Sequence, residues 1–312
     1  MLAVTGATGF VGRGMRATLE ASGVAFRAIG REDAPGQVGV GDIGPETEWR
    51  GALSGVSVVI HLAARVHHLH ERDRDPLGVY RRTNVAGTLR LAREAQAGGV
   101  RRLVFVSSVK VNGERTEPGR PFQSGDPARP LDPYGLSKWE AEQELWALAR
   151  RTGLEVAVVR PPLVYGAEVG ANFGALVALV QRGVPLPLGA IRNKRSLIAV
   201  ENLTDLLLRC ATHPNAPGGT FLCSDGQDVS TPELVRTIGR GLKRPVRLVP
   251  VPAWGLGLAA GLAGRGATVQ RLTESLQVDA SETCARLDWH PPYQAEDAMM
   301  RAAAGWTAGI AR

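Results

Sequence analysis

Cysteine is scarce in this sequence. Cys210, Cys223 and Cys284 stand far apart among 312 residues, and no two of them form a Cys-x-x-Cys pair. An odd, sparse set of this kind argues against a disulfide framework and indicates reduced thiols, and we expect no metal site. The sequence opens on a strand and a glycine loop rather than on a signal peptide, so we expect a cytoplasmic protein.

Long apolar runs and clustered charge are also lacking. The apolar stretch AWGLGLAAGLAG, residues 253–264, is too short and too rich in glycine to span a bilayer, so no membrane insertion is expected. The net charge of +7 does not gather into a basic tail or stripe, and aromatic residues make up 5%, which argues against nucleic-acid binding. The 38 glycines follow no period, which excludes a repeat or fibrous protein.

Short apolar strands alternate with longer amphipathic stretches along the first half of the chain. Apolar segments without alternation, such as VSVVIHLAA and RRLVFVSS, are typical of strands covered on both faces. This alternation predicts an α/β fold with a doubly wound parallel sheet, a Rossmann fold. We expect strands at residues 2–5, 25–29, 56–62, 103–107, 155–160 and 220–223, and helices at residues 11–22, 84–98, 134–152 and 200–212.

The regular alternation of strands and helices ends after Pro161, where prolines and glycines cluster. We expect a dinucleotide-binding domain over residues 1–164, to which residues 196–225 return. A smaller C-terminal α/β region, residues 165–195 and 226–312, is expected to bind the substrate. Ligands bind at the carboxyl ends of the strands in open parallel sheets, so the crevice between these regions is the expected site.

The loop TGATGFVG separates the first predicted strand from the first predicted helix. Gly6 would permit the tight turn, Gly9 would let the backbone approach a pyrophosphate, and Gly12 would let helix and strand pack closely. The N–H groups at the start of the helix would then bind the phosphates. The further residues expected to line the cofactor are Thr8, Phe10, Val11, Ile43, Leu62, Ala63, Ala64 and Pro161.

The second predicted strand ends in FRAIGRED, which bears on the choice of cofactor. An acidic residue at this end would bind the ribose 2′-hydroxyl of NAD, but the sequence has Gly30 and Arg31 there. Arg31 could pair with a 2′-phosphate, which favours NADP(H). NAD(H) stays open, because Glu32 or Asp33 could serve the ribose if the strand ends later. Asp42 follows at a position suited to an adenine contact.

Tyr134 and Lys138 are four residues apart at the start of a predicted helix, so they share one face. A phenol with a pKa of about 10 exchanges protons near neutral pH once its anion is stabilised, and a nearby ammonium and an oxidised nicotinamide would do so. Ser107 and Ser108 end the preceding strand, where a hydroxyl can orient a substrate oxygen. Each residue alone fits an ordinary cap or helix start, but with the glycine loop they predict an active site.

In order and spacing, TGATGFVG, HLAA, NVAGT, FVSS, YGLSK and RPPLVYG resemble the extended short-chain dehydrogenase/reductase family. The resemblance implies a catalytic set of Ser108, Tyr134 and Lys138, with Tyr134 as acid and base during hydride transfer at a sugar carbon. It implies a nucleotide-sugar substrate and a supporting, non-chemical role for Asn84. Relatives usually dimerise through two helices of the first domain, so we expect a homodimer formed through residues 84–98 and the helix that holds Tyr134.

Family members that eliminate water from a sugar carry an Asp-Glu pair directly after the serine or threonine. This sequence has Val109 and Lys110 at those positions, which argues against a 4,6-dehydratase. Arg31 and a likeness to bacterial surface-polysaccharide (O-antigen) enzymes favour a 4-reductase of a UDP-4-keto-6-deoxy-N-acetylhexosamine. The alternative is a UDP-hexose or UDP-N-acetylhexosamine 4-epimerase with tightly bound NAD, and a second alternative is a non-catalytic dinucleotide-binding regulator.

The substrate side rests on the resemblance to this family alone. It implies that Asn172 and Phe173, in GANFGAL, lie near the pyrophosphate or base of a UDP-sugar. It also implies that Arg195 grips a phosphate, and a guanidinium fork matches phosphate oxygens. Arg271 is a further candidate, and Ser107 is assigned to the substrate as well.

Overall fold

The computed structural model describes residues 1–66, 75–117, 119–262 and 266–306. The strands in chain order are β1 (Leu2–Thr5), β2 (Phe26–Gly30), β3 (Gln37–Gly39), β4 (Val58–His61), β5 (Arg102–Val106), β6 (Glu155–Arg160), β7 (Leu163–Tyr165), β8 (Leu197–Ala199) and β9 (Gly219–Leu222). Seven of them form a parallel sheet in the order β3-β2-β1-β4-β5-β6-β9, and β7 pairs with β8 in a second, parallel sheet. The strand order reverses between β1 and β4, and dinucleotides bind at such switch points.

The helices surround the large sheet and fill the second region. They are α1 (Phe10–Ala21), α2 (Arg50–Leu53), α3 (Pro76–Tyr80), α4 (Thr88–Ala97), α5 (Pro133–Thr152), α6 (Ala171–Gln181), α7 (Val200–Thr212), α8 (Thr231–Gly241), α9 (Ala253–Leu262), α10 (Gly266–Thr273), α11 (Ser281–Leu287) and α12 (Ala295–Gly305). A π-helical segment, Arg81–Gly87, joins α3 to α4, and a 3₁₀ turn, Val109–Val111, follows β5. In the described ranges no helix has both the length and the apolar character needed to cross a bilayer.

The central strands of the large sheet divide their side chains between two hydrophobic clusters. In β1, Val4 belongs to the cluster under α1 and α7, and Ala3 belongs to the cluster under α4 and α5. In β5, Val104 and Phe105 divide in the same way. Because both faces of the sheet are covered, its central strands are mostly apolar and do not alternate with polar residues. The structure confirms the predicted doubly wound parallel α/β fold.

Helix α5 begins where local sequence signals place it. The carboxylate of Asp132 accepts a hydrogen bond from the backbone N–H of Gly135 at 2.6 Å, and Pro133 occupies the first turn. At the other end Gly153, with φ of 75°, provides the left-handed residue that terminates the helix. A cap of this kind stabilises a helix by about 1 kcal/mol, and here it fixes the turn that carries Tyr134.

Helix α7 packs on the large sheet and β9 forms its last strand, although both follow the second sheet in the chain. The buried guanidinium of Arg102, in β5, donates from Nη1 to the carbonyls of Cys210, Ala211 and His213 at 3.1, 3.0 and 2.9 Å. Its Nε donates to Glu155 at 2.7 Å. A buried charge is tolerated only with such partners. These hydrogen bonds therefore fix the end of α7 against β5.

The second region has its own hydrophobic cluster, which α6, α8 and α12 form with β7 and β8. Phe173, in α6, is buried in this cluster and stacks on Tyr165 with 5.3 Å between ring centroids. The expectation that Phe173 contacts the nucleotide is therefore wrong, because its side chain is part of a closed core. Asn172 lies in α6, but its side chain falls outside the described residues.

Two elements differ from the expectations in extent. The helical stretch expected from residue 84 begins at Pro76, where the carboxylate of Asp75 accepts a hydrogen bond from the N–H of Gly78 at 2.9 Å. This cap and the proline at the first turn are ordinary helix-start signals. The third strand, Gln37–Gly39, is too short and too polar to be predicted from an apolar run.

Candidate functional site

The glycine loop after β1 is shaped by its contacts with the loop after β4. Gly6 has φ of +68°, and a Cβ added there would lie 2.7 Å from the backbone nitrogen of Ala63. At Gly12 a Cβ would lie 2.1 Å from the carbonyl oxygen of Gly6. Both positions therefore require glycine for the packing of the chain itself. Leu62, Ala63 and the glycine loop consequently meet at the switch point of the sheet.

The environment of Gly9 differs, because the protein itself leaves room there. A Cβ at Gly9 would meet the carbonyl oxygen of Gly6 at an unstrained 3.4 Å. Among the described residues no side chain caps the start of α1, so its first N–H groups keep their capacity to bind an anion. This glycine cradle and free helix start fit the pyrophosphate of a dinucleotide.

Arg13 bridges the glycine loop and the loop after β7. Its Nη1 donates to the carbonyl of Thr8 at 2.7 Å, and its Nε donates to the carboxylate of Glu168 at 2.6 Å. The ring of Phe10 lies beside Gly166, where a Cβ would come within 3.0 Å of it. The backbone of residues 166–168 thus lies over the start of α1.

At the end of β2, Arg31 and Asp42 form an exposed ion pair, with 2.7 Å between Nε and Oδ1. The carboxylate of Asp33 accepts a hydrogen bond from the N–H of Gly39 at 2.8 Å, so Asp33 stabilises the turn to β3. The side chain of Ile43 packs into the hydrophobic cluster under α4 and α5. The structure therefore brings the two residues expected to bind the adenosine end into contact with each other.

The expected catalytic side chains converge at the carboxyl end of β5. The hydroxyl of Ser108 lies close enough to the phenol of Tyr134 to lower the pKa of that phenol. Lys138 follows one turn later on α5 and is buried, with its Nζ 4.3 Å from the ring centroid of Phe105. The structure thus places a hydroxyl, a half-buried phenol and a buried amine at one edge of the sheet.

The pKa values at this edge depart from the usual range in opposite directions. Burial raises the pKa of Tyr134, the Asp132 carboxylate and the Tyr80 phenol raise it further, and the Ser108 hydroxyl opposes them. Burial lowers the pKa of Lys138 to about 7, although the carboxylate of Glu142 favours its charged form. The chain's own residues therefore keep the phenol protonated at neutral pH. The expected lowering of its pKa by the Lys138 ammonium is not among these contributions, because burial makes that charge costly.

Lys110 occupies one of the two positions where dehydratases of the family carry acids. Its Nζ donates to Asp132 at 2.5 Å and to Glu114 at 2.9 Å. Burial acts to lower the pKa of Lys110, but these hydrogen bonds outweigh burial and raise it. Val109, the other position, is buried in a small hydrophobic cluster. Both residues therefore support the capping residue of α5 and the loop after β5.

A buried polar network lies beneath Lys138 and was not apparent from the sequence. Glu142 binds Arg160 through two hydrogen bonds, from Nε to Oε1 at 3.0 Å and from Nη2 to Oε2 at 2.6 Å. The hydroxyl of Ser107 also donates to Glu142, and Arg160 Nη1 donates to Asn112 at 3.0 Å. Ser107 is thus buried in this network, which corrects the expectation that it contacts the substrate. In the sequence, Glu142 stands four residues after Lys138, and this helical spacing is the signal that could have placed it beneath Lys138.

Asn84 lies in the π-helical segment and connects three parts of the site. Its Oδ1 accepts a hydrogen bond from the N–H of Arg65 at 2.9 Å, and its Nδ2 donates to the Arg65 carbonyl at 3.1 Å and to Ser137 Oγ at 3.0 Å. It therefore joins the segment after β4 to α5. This geometry matches the supporting role that the resemblance implied.

On the far side of the crevice the structure brings Arg195 and Arg271 together. Nη1 of Arg195 donates to the backbone carbonyls of Arg271 at 2.8 Å and Glu274 at 3.2 Å. Burial lowers the pKa of Arg195, and the carboxylates of Glu114 and Glu274 oppose this effect. Glu114 thus lies near both Lys110 and Arg195, so the two arginines lie across the crevice from the end of β5.

Pro161 and Ala64 complete the residues expected around the cofactor. The carbonyl of Pro161 accepts a hydrogen bond from the N–H of Val109 at 3.0 Å, which ties the segment after β6 to the catalytic loop. Ala64 is half-buried in the segment after β4, and Val11 is half-buried in the first turn of α1. Pro161 and Ala64 therefore lie on loops at the carboxyl edge of the sheet, and Val11 lies at the start of the helix beside them.

Comparison with known proteins gives consistent matches. A model of the NAD dependent epimerase/dehydratase family matches residues 2–223. A UDP-glucose 4-epimerase of Vibrio cholerae is 44% identical over 307 residues, covering 96% of this chain and 93% of that protein. A GDP-6-deoxy-D-mannose reductase of Pseudomonas aeruginosa is 28% identical, covering 81% of this chain and 83% of that protein. The crystal structure of UDP-N-acetylglucosamine 4-epimerase from Bacillus cereus has the same fold, with a TM-score of 0.80, 20% identity and 97% of each chain covered.

Proposed function

The chain is an enzyme of the NAD-dependent epimerase/dehydratase family, and from this premise we propose that it is a 4-epimerase of a UDP-hexose or UDP-N-acetylhexosamine. The observation that carries the proposal is the convergence of Ser108, the phenol of Tyr134 and the buried amine of Lys138 at the carboxyl end of β5. The V. cholerae relative, alike over nearly the whole chain, supports epimerisation in particular.

In the proposed reaction, side chains of this protein transfer the proton of the sugar O4 hydroxyl. Once the positive charge of a bound oxidised nicotinamide stabilises its phenolate, Tyr134 Oη would take that proton as C4 is oxidised to a ketone and would return it when the ketone is reduced. The hydroxyl of Ser108 would hold O4 in line, and a well-placed acid and base of this kind contributes about 10²- to 10⁴-fold in rate. A nicotinamide dinucleotide bound at the glycine loop would supply the hydride acceptor and donor.

The residues that would hold the cofactor follow from the geometry of the loops. The N–H groups at the start of α1 would bind the pyrophosphate above Gly9, and Lys138 would bind the hydroxyls of the nicotinamide ribose. Across the crevice, Arg195 and Arg271 would bind the diphosphate of the UDP-sugar, since a guanidinium matches phosphate oxygens. Asn172 is proposed to contact the same diphosphate.

The structural roles of Val109 and Lys110 support a reaction without elimination of water. Valine carries no exchangeable proton, and the ammonium of Lys110 is held by Asp132 and Glu114. Neither position therefore offers the carboxylate that elimination needs. The reaction that fits is oxidation and reduction at one carbon.

Arg31 supports a second candidate, a 4-reductase acting on a UDP-4-keto-6-deoxy-N-acetylhexosamine. A reductase exchanges its cofactor at each turnover, and an exposed guanidinium at the end of β2 suits the 2′-phosphate of NADPH. The pair with Asp42 weakens this support, because the carboxylate already neutralises Arg31 and repels a phosphate. NAD is therefore the cofactor we propose first.

The experiment is a comparison of two substrate mixtures with the purified chain. UDP-glucose and UDP-N-acetylglucosamine would each be incubated without added cofactor and with NAD, and the 4-epimer would be quantified by NMR. UDP-4-keto-6-deoxy-N-acetylglucosamine would be incubated with NADPH or NADH while the absorbance of the reduced cofactor is followed. Formation of the 4-epimer supports the first proposal. Stoichiometric consumption of NADPH without epimerisation replaces it by the second.

Two variants decide whether the observed activity belongs to this site. Tyr134→Phe should abolish either reaction, whereas Tyr293→Phe, which alters a phenol on the surface, should leave it unchanged. Bound cofactor is measured separately by releasing it from the denatured protein and recording its absorbance. Retained NAD with no epimerisation of either sugar would contradict the proposed substrate while preserving the cofactor assignment.

The homodimer stays a prediction. The face formed by the π-helical segment, α4 and α5 contains an open cavity of about 970 Å³, and Val85, Leu89 and Trp139 are among its lining residues. A shallow, partly apolar face on two adjacent helices suits a symmetric partner. Light scattering at several protein concentrations tests it, and a monomer at all of them would contradict it.

A further inference from the structure

Exposed apolar side chains concentrate on one face of the second region. Of the eight large apolar residues that are exposed in the described part of the chain, four belong to it: Val184, Val249, Trp254 and Leu258. We call these four residues the α9 face, because two of them lie on helix α9. Apolar groups exposed singly are ordinary, but a concentration of them marks an interaction surface.

The backbone pairs the segment that follows Val184 with the segment that leads to Val249. The N–H of Leu186 donates to the carbonyl of Arg247 and the N–H of Val249 donates to the carbonyl of Leu186, both at 2.8 Å. The segments that carry Val184 and Val249 therefore run side by side. Helix α9 begins four residues after Val249, at Ala253.

Helix α9 points Trp254 and Leu258 away from the protein. Leu256 packs against the hydrophobic cluster of the second region and fixes the orientation of the helix. Trp254 and Leu258 are four residues apart, so they share a face, and they are 77% and 69% exposed. The helix is about 15 Å long, which is half the thickness of a hydrocarbon core, so it could lie along a membrane but not cross it.

The chain around the α9 face is basic and contains no acidic residue over two long stretches. Residues 234–273 include no Asp or Glu, but they include seven Lys and Arg; residues 169–200 include no Asp or Glu and four Lys and Arg. Arg182, Lys243, Arg244 and Arg247 are exposed. A cavity of about 710 Å³ is lined by Lys243 and Arg244 together with Arg236, Arg240 and a single acidic residue, Glu233. The face is therefore apolar at its centre and positive at its border.

We propose that the α9 face docks on the surface of an anionic phospholipid bilayer. Trp254 and Leu258 would enter the headgroup boundary, where tryptophan is favoured because its ring is apolar and its N–H is polar. Lys243 and Arg247 would meet the anionic headgroups. Apolar insertion and basic attraction together give the two weak signals that reversible peripheral binding requires.

The chemistry of α9 favours a lipid surface over a protein partner. Its sequence, AWGLGLAAGL, offers one polar side-chain group, the indole N–H of Trp254. A specific protein interface carries many directional hydrogen bonds, whereas a fluid bilayer needs apolar insertion and positive charge. A second copy of this chain is disfavoured as well, because the basic borders of two copies would repel each other.

The test is flotation of the full-length protein with vesicles. Vesicles of equal parts phosphatidylglycerol and phosphatidylcholine should carry the protein at 100 mM NaCl, and vesicles of phosphatidylcholine alone should not. Raising the salt to 500 mM should release most of the bound protein, since the basic contribution is screened. No flotation with the anionic vesicles at 100 mM salt overturns the proposal.

Variants separate the α9 face from adventitious binding by a basic protein. Trp254→Ala combined with Leu258→Ser should reduce the bound fraction at least tenfold, and Lys243→Glu with Arg247→Glu should reduce it similarly. Leu131→Ser, which removes an exposed leucine elsewhere, is the matched control and should bind as the wild type does. If the first pair leaves flotation unchanged, the proposal fails. It also fails if that pair instead converts a dimer to a monomer, because the face is then a self-association surface.

Discussion

The crevice has an ion pair at each end, and the two pairs are almost equally short. Glu142 and Arg160 at the end of β6 approach to 2.6 Å, and Arg31 and Asp42 at the end of β2 approach to 2.7 Å. Their exposure differs, however: the side chains of the first pair are 0% and 8% exposed, and those of the second are 85% and 76% exposed for Asp42 and Arg31. The distance between the charged atoms therefore does not show which pair contributes more to stability.

The difference shows which end of the crevice is built to stay fixed. A buried pair with further hydrogen bonds cannot lose one partner cheaply, because the other charge is left without solvent. An exposed pair is solvated either way and contributes about 0–1 kcal/mol. The catalytic end thus combines chemistry with rigid support, whereas the adenosine end can change its charge at little cost to the fold.

The largest expected effect lies at the buried end and concerns activity. Tyr134→Phe removes the proton carrier, so kcat should fall by about 10²-fold or more, and the fold should persist because one hydroxyl is lost from a half-buried position. Steady-state rates with the accepted substrate and the circular dichroism spectrum check both parts. A rate within threefold of the wild type would place the proton transfer elsewhere.

Removing one charge of the buried pair should have the largest effect on stability. Glu142→Gln leaves the guanidinium of Arg160 uncompensated, so the free energy of unfolding should fall by about 3–5 kcal/mol. Urea denaturation measures this loss. The double variant Glu142→Gln with Arg160→Met should recover most of it, because no charge then stays buried. Equal stability of the single variant and the wild type would mean that water reaches the pair.

Lys138 makes the free energy of unfolding depend on pH in a defined direction. Its pKa is lowered to about 7, so between pH 7 and about 10.5 the unfolded chain binds a proton that the folded chain does not. Stability therefore rises with pH in this window, by up to about 1.4 kcal/mol per unit from this residue. Urea midpoints at pH 7.5 and 8.5 should differ more for the wild type than for Lys138→Met. The same slope in both proteins would contradict the lowered pKa.

The smallest effect on stability is expected at the exposed end. Arg31→Ala should change the free energy of unfolding by less than about 1 kcal/mol. If Arg31 binds a 2′-phosphate, the variant should raise the KM for NADPH at least several-fold and leave the KM for NADH nearly unchanged. Asp42→Asn should act in the opposite direction on NADPH, because it frees the guanidinium. Equal changes in both KM values would show that Arg31 does not discriminate between NADPH and NADH.

Local patterns predicted the parts of the molecule that depend on local sequence. The apolar runs predicted the central strands, and the spacing of Tyr134 and Lys138 on one helical face placed them at one edge of the sheet. The glycine loop followed from its position between strand and helix. The positions that require glycine, Gly6 and Gly12, agree with the roles expected for them.

The features that escaped prediction depend on contacts between distant segments. The network around Glu142 joins residues from β5, α5 and β6, and single-sequence patterns do not show which polar side chains will meet. Phe173 was expected near the nucleotide because its position matched a family motif, but the packing of three helices decides its burial. Likewise, the ion pair of Arg31 with Asp42 depends on the course of the chain through β3.

Arg102 has a consequence for the order in which the chain acquires its structure during synthesis. Its guanidinium sits in the fifth strand, but its carbonyl acceptors belong to residues 210–213, about a hundred residues later. The seventh strand of the sheet, β9, comes later still. A chain that ends before residue 210 therefore has the guanidinium of Arg102 without these acceptors, and its sheet is without the edge strand β9. The complete sheet therefore requires the chain up to residue 222, well beyond the segments that form the cofactor site.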